Sequence, residues 1–251
     1  MKRNLPALVT EIDFEHMSLS PIRDLAASLP PAVKNSLPAI SPWHGTTIAA
    51  FTVDGGKAIV AVSDGKVSEG PVLYPASLEF PKVVEIDKET VMLFAGSAGF
   101  AVMYARILKN WVETMERVRE EKLNARAKIN MLSRILRESL PLAASGFPVG
   151  AILATFDRQK GMRIFLFTPD GSNVLRKTYA IFGSGKVTEA SLLENWRADM
   201  TRQDGVEYAK RLIKTSSDLD SASGGRIFIK VLDENGVESI DGGWAGGRRA
   251  D

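Results

Sequence analysis

The chain has no cysteine and only two histidines, His16 and His44, among its 251 residues. The first absence excludes disulfides, thiol nucleophiles and thiolate metal sites, and it agrees with a reducing compartment. The second argues against a histidine-rich zinc centre and a serine-histidine-acid triad, while carboxylate sites for Mg²⁺ or Ca²⁺ stay open. An excess of charge is also missing. Lys and Arg number 32 against 30 Asp and Glu, a net charge of +2, which calls for neither a nucleic acid nor an acidic membrane as partner. No long apolar run exists. The richest stretch, 147–156, is too short to cross a bilayer, and Pro6, Glu11, Asp13 and Glu15 interrupt any secretory signal behind Lys2 and Arg3. The expectation is a cytoplasmic protein whose partners must be argued from motifs.

What the chain does have is 45% hydrophobic residues, enough for a substantial core. Proline is concentrated at the front. Pro6, Pro21, Pro30, Pro31, Pro38 and Pro42 leave room only for short helices, so the first 43 residues read as a leader or linker. From Thr46 the pattern changes to β-rich runs, 46–53 and 57–62, around Asp54-Gly55-Gly56, a strong hairpin signal. Short strands follow at 83–86 and 91–94. Helical periodicity then sets in after Gly96, with Val102, Ala105, Leu108, Val112, Met115 and Val118 on one face, and a second helix is expected over 124–143. Strands return at 149–156, 162–168 and 177–182, helices at 187–200 and 205–216, and a last strand at 226–232. The Gly-rich end, from about 241 to 251, reads as a flexible tail. Grouped helices between antiparallel hairpins predict an α+β architecture rather than alternating βαβ units.

The sharpest chemical clue is His44-Gly45-Thr46-Thr47, set where the leader meets the first strand. Gly45 has no Cβ, so its carbonyl can be brought close to the Thr46 hydroxyl. Attack there would cut the chain and leave an α-amino group, of reference pKa about 7.7–8.0, on the residue that carries the nucleophile. Asp64 ends the second strand of the hairpin and is also a plain turn former in Ser63-Asp64-Gly65. Lys82 opens the third strand; turned inward it would pair with Asp64 and favour ionisation of the hydroxyl, and turned outward it is simply solvated. The stretch Phe94–Gly99 lies at a strand-to-helix junction, where free backbone N–H groups can hold an oxyanion or merely close a turn. Gly183-Ser184-Gly185-Lys186 is not a phosphate loop, because Ala180 stands where its first glycine belongs and Val187 where its Ser/Thr belongs. Asp220-Ser221-Ala222-Ser223-Gly224-Gly225, taken alone, reads as a loop that caps the end of a helix.

Together these stretches resemble the β-type subunits of bacterial 20S proteasomes, within the N-terminal nucleophile hydrolase superfamily, from Gly45 to about Ile240. The resemblance implies a four-layer αββα sandwich of two antiparallel sheets flanked by helices. It implies a threonine endopeptidase that cuts itself between Gly45 and Thr46 and sheds 1–45 as a propeptide, with 46–251 as the catalytic domain. Thr46, Asp64, Lys82, Ser184, Asp220 and Ser223 would form the catalytic set, with Asp220 and Ser223 orienting the Thr46 amine and hydroxyl, and Gly96 at the oxyanion. Ser68 would hold substrate backbone, and Val67, Phe80, Val84, Phe94 and Ala98 would line an apolar specificity pocket with a chymotrypsin-like preference, unless they are core. No metal or organic cofactor is called for. The implied partners are α subunits, further copies in two seven-membered β rings, a ring-shaped ATPase and unfolded protein substrates. Two departures stand out: Gly65, Lys66, Val67 and Ser68 replace the family's arginines and threonine after Asp64, and the Thr46–Asp64 interval is slightly long, which calls for a bulge. The alternatives are a non-catalytic ring subunit that keeps its leader, and an N-terminal nucleophile amidase acting on a small molecule.

Overall fold

The computed structural model describes residues 46–69, 74–189 and 194–246. In chain order the strands are β1 (Thr47–Val53), β2 (Ala58–Ser63), β3 (Val67–Glu69), β4 (Tyr74–Ser77), β5 (Val83–Asp87), β6 (Thr90–Gly96), β7 (Val149–Asp157), β8 (Gly161–Phe167), β9 (Asn173–Arg176), β10 (Tyr179–Gly183), β11 (Gly225–Asp233) and β12 (Gly236–Ala245). The helices are α1 (Ala98–Arg119), α2 (Ala125–Glu138), the short α3 (Leu140–Ala144) and α4 (Arg202–Leu219). Two five-stranded antiparallel sheets, ordered β10-β1-β2-β11-β12 and β5-β6-β7-β8-β9, face each other.

The layers follow from strand alternation. On β1, Ala49, Phe51 and Val53 point to a cluster built with Val206, Ala209, Leu212 and Ile213 of α4, whereas Ile48 and Ala50 point to the other sheet. On β6, Met92 and Phe94 face Leu108 of α1 and Leu132 of α2, whereas Val91, Leu93 and Ala95 fill the space between the sheets. Both faces of these strands are therefore covered, which is why they read as continuous apolar runs. Three cores, helix on sheet, sheet on sheet and sheet on helix, make the expected αββα sandwich.

Several boundaries differ from the sequence reading. The helix expected over 124–143 stops at Glu138, and α3 restarts behind Ser139. Pro141 has no N–H with which to continue the ladder. Of the helix expected over 187–200, residues 187–188 belong to a 3-10 turn at Ser184–Thr188, Glu189, Glu194 and Asn195 are helical, and the chain has left the helix by Trp196; 190–193 lie outside the described residues. The expected bulge in the first hairpin is absent. Pairing runs unbroken from Ile48↔Ser63 to Val53↔Ala58, and the loop 54–57 takes up the length. The tail expected over about 241–251 is corrected as far as 245, because Trp244 and Ala245 pair with Arg226 and Gly225 on β11; residues 247–251 lie outside the described residues. Gly242 is needed there, since a Cβ would stand 2.6 Å from Ile227 Cγ2. Strands β3, β4, β9 and β12 were not expected.

Candidate active site

Four chain segments converge at the start of β1. Thr46 immediately precedes that strand and is 5% exposed. Asp64 follows β2, which pairs with β1, so the two lie at the same end of the hairpin. Ser184 follows β10, the other neighbour of β1, paired through Thr47↔Gly183. Asp220 and Ser223 lie between α4 and β11.

On one side, the Thr46 backbone N–H donates to Ser184 Oγ at 3.2 Å, and Ser184 Oγ donates to Asp220 Oδ2 at 2.5 Å. Ser223 Oγ donates to the same oxygen at 2.7 Å, and Ala222 N–H donates to Asp220 Oδ1 at 3.0 Å. The two glycines around Ser184 make this approach possible. Gly183 sits at φ +97°, where a Cβ would lie 2.1 Å from Thr46 O, and a Cβ on Gly185 would lie 1.7 Å from Thr47 Oγ1. The Gly-Ser-Gly stretch is thus a close-approach loop for the start of β1.

On the other side, Lys82 Nζ lies 2.7 Å from Asp64 Oδ1, with Asp64 fully buried and Lys82 3% exposed. Thr47 N–H donates to the same oxygen at 2.9 Å, and Gly224 N–H and Lys66 N–H donate to Oδ2 at 3.1 and 3.2 Å. Lys82 Nζ also donates to Lys66 O at 2.5 Å. Burial pushes the Lys82 ammonium below the usual lysine range, opposed by the charge and hydrogen bond of Asp64 and by the charge of Asp220. Burial pushes the Asp64 carboxyl up, opposed by Lys82 and by the Thr47 and Gly224 N–H groups. The segment that departs from the family pattern is pinned here. Gly65 N–H and Lys66 N–H donate to Gly224 O at 3.0 and 2.9 Å, and the Lys66 ammonium reaches Ser221 O.

The remaining candidates are spread more widely. Gly96 closes β6 opposite Val149, and a Cβ there would stand 2.1 Å from Pro148 O. The next N–H, that of Ser97, is taken by Pro148 O at 3.0 Å. Phe80 and Phe94 meet edge to face at 6.3 Å, and Phe80 and Val84 are half-buried against the core that contains Phe94. Val67 on β3 and Ala98 at the start of α1 are half-buried. Gly45 and the Ser68 side chain lie outside the described residues. Sequence reasoning gave no role of its own to Thr47 and did not single out Ser216; their hydroxyls hydrogen-bond each other, and Thr47 Oγ1 also lies 2.8 Å from Ser223 Oγ. Only the fold shows that Ser216 lies on the buried face of α4.

Residues 43–232 match the model of the proteasome subunit family. A proteasome subunit beta of Acidimicrobium ferrooxidans is 33% identical over 87% of this chain and 82% of its own length. Those of Frankia alni and Streptomyces griseus are each 31% identical, over 82% and 80% of this chain and 76% and 74% of their own lengths. With two facing antiparallel sheets between helical layers and a threonine at the head of the central hairpin, the chain belongs to the proteasome subunit family, as a bacterial β-type threonine endopeptidase with the N-terminal nucleophile hydrolase fold.

Proposed function

We propose that Thr46 is the nucleophile and that it becomes the chain end by cleavage of the Gly45–Thr46 bond, with residues 1–45 released as a propeptide. In that first event the Thr46 hydroxyl attacks the Gly45 carbonyl, the acyl group passes from nitrogen to oxygen, and water hydrolyses the ester. The products are a leader carboxylate and a free Thr46 amine. The observation that carries this reading is the hydrogen bond from Thr46 N to Ser184 Oγ, itself fixed on Asp220. Once the nitrogen is an amine, one N–H is held by Ser184, and the lone pair is left to take the hydroxyl proton of the same residue.

In turnover the amine accepts that proton and the oxygen attacks a peptide carbonyl. The amine then hands the proton to the departing amino group. Water resolves the ester and regenerates the hydroxyl. The buried Lys82 ammonium, neutralised by Asp64, favours the developing alkoxide, and the Gly96 N–H is assigned to the oxyanion. Phe80, Val84 and Phe94 form the apolar wall of the specificity pocket, with Val67 and Ala98 completing it and Ser68 holding substrate backbone. Preference is for large apolar residues.

The relatives' names, proteasome subunit beta, support a place in a proteasome. There the chain joins α subunits in paired seven-membered rings, in the cytoplasm, and acts on unfolded polypeptide delivered by a ring-shaped ATPase. Co-expression with an α subunit followed by intact-mass measurement tests the reading. A mature chain beginning at Thr46, with an uncut and inactive Thr46→Ala variant in the same assembly, is expected. Peptide hydrolysis by rings that keep residues 1–45 overturns it, as does full turnover by Thr46→Ala.

A further inference from the structure

Asp220 sets a direction on a line of hydroxyls that runs through Ser223 and Thr47 to Ser216. A carboxylate only accepts, so Ser184 and Ser223 must both give it their protons. Ser223 has then spent its single proton, and its contact with Thr47 at 2.8 Å is a bond donated by Thr47. Thr47 has in turn spent its own, so the contact with Ser216 is donated by Ser216 Oγ. The order Ser216, Thr47, Ser223, Asp220 is therefore one-way, and every hydroxyl polarises the next.

The line is also sealed. Thr47 and Ser216 are fully buried and Ser223 is 4% exposed, so water does not replace a missing member. Gly185 leaves the space that the Thr47–Ser216 contact occupies, since a Cβ would stand 2.3 Å from Ser216 Oγ. Thr47 is moreover the residue at which the two halves of the site join. Its N–H binds Asp64, the partner of Lys82, while its hydroxyl binds the Asp220 side, which holds the Thr46 nitrogen through Ser184.

We infer that Thr47 and Ser216 are positioning residues for the threonine chemistry, the Ser216-to-Thr47 hydroxyl bond being the anchor that holds the Ser223–Asp220–Ser184 clamp on the Thr46 nitrogen. This rests on Thr46 being the nucleophile. Neither residue reaches substrate, so loss of the anchor lowers kcat and leaves KM in place.

The test uses the assembled α–β complex with Ser216→Ala, Thr47→Val and Thr47→Ser, assayed for kcat and KM on one apolar peptide. Ser216→Ala is expected to lower kcat about tenfold at KM within about twofold, because a misplaced reactive group costs rate rather than affinity. Thr47→Val is expected to lower kcat further, and Thr47→Ser to restore most of it, since only the hydroxyl is at issue. Wild-type kcat in Ser216→Ala overturns the inference, and so does a Thr47→Ser variant as slow as Thr47→Val. Should Thr47→Val fail to assemble, Ser216→Ala and Thr47→Ser decide. Wild-type mass and Thr46→Ala turnover, measured alongside, report separately on the nucleophile itself.

Discussion

The Lys82 ammonium and the Asp64 carboxylate meet at 2.7 Å in a site closed to solvent, and the same Asp64 oxygen holds the backbone N–H of Thr47. Removing either charge would leave the other buried and uncompensated, at a cost of about 3–5 kcal/mol. Through that Thr47 N–H, the pair ties the buried Lys82 charge to the position of the first strand.

The pH dependence of turnover follows from Lys82. Burial lowers its pKa from 10.5, and on the proposed mechanism the form that assists the Thr46 alkoxide is the protonated one, present below that pKa. Activity should therefore fall as pH rises through a value below that of free lysine. Lys82→Arg keeps its charge to higher pH, so its alkaline limb should move up even though its maximum rate drops. Measuring kcat/KM from about pH 6 to about pH 11 checks this. Coincident alkaline limbs in the two proteins would reject Lys82 as the titrating group.

Gly183 and Gly185 should tolerate no side chain. Alanine at Gly183 adopts an unfavourable φ of +97° and collides with Thr46 O, and alanine at Gly185 collides with Thr47 Oγ1. At Gly183 the backbone strain costs about 1–3 kcal/mol, and in both variants relief of the clash is expected to move Ser184 away from Thr46. Both variants should accumulate chain that keeps its leader. Intact mass reads this directly, and normal processing in Gly185→Ala would falsify the close-approach account.

The site was legible in the sequence where chemistry is written in short, contiguous stretches. Gly45-Thr46-Thr47, Pro81-Lys82, Gly183-Ser184-Gly185 and Asp220–Gly225 each stand out locally, and the hairpin fixes that Thr46 and Asp64 share an end. Ser216 was not legible, because a serine in Lys214-Thr215-Ser216-Ser217 reads as a solvated helix face until its facing strand is known. Strand β12 was hidden for another reason. Its Gly242-Gly243 pair lacks side chains with strand preference, and only pairing with β11 and close packing on Ile227 explain why it is extended. Strand β9 is exposed at every residue and so carries no alternation to read.

A second buried ammonium lies far from the chemistry. Lys128 on α2 is 1% exposed, 2.6 Å from Asp87 and within 3.1 Å of Thr90 Oγ1. Lys128→Ala strips Asp87 of its partner beneath the helix layer and should destabilise the full-length chain by about 3–5 kcal/mol. Lys128→Met combined with Asp87→Asn removes both charges and should recover most of that loss. Urea unfolding of the three proteins checks the prediction, and equal stabilities for the alanine variant and the double variant would refute it.

Asp220→Asn separates charge from hydrogen bonding on the other side of the site. Both carboxylate oxygens of Asp220 accept, Oδ1 from Ala222 N–H and Oδ2 from the hydroxyls of Ser184 and Ser223. An amide can offer an oxygen at only one of these places, so its NH₂ must face a donor at the other. If the NH₂ faces the hydroxyls, Ser184 turns away from the Thr46 nitrogen; if it faces Ala222, the loop shifts. Either way kcat should fall about 100-fold, as for a misplacement of about 1 Å. The charge has its own signature. Asp220 raises the Lys82 pKa, so its neutralisation lowers that pKa, and the alkaline limb of the residual activity should move to lower pH, opposite in sign to Lys82→Arg. A residual activity with an unmoved limb would show that the Asp220 charge does not reach Lys82.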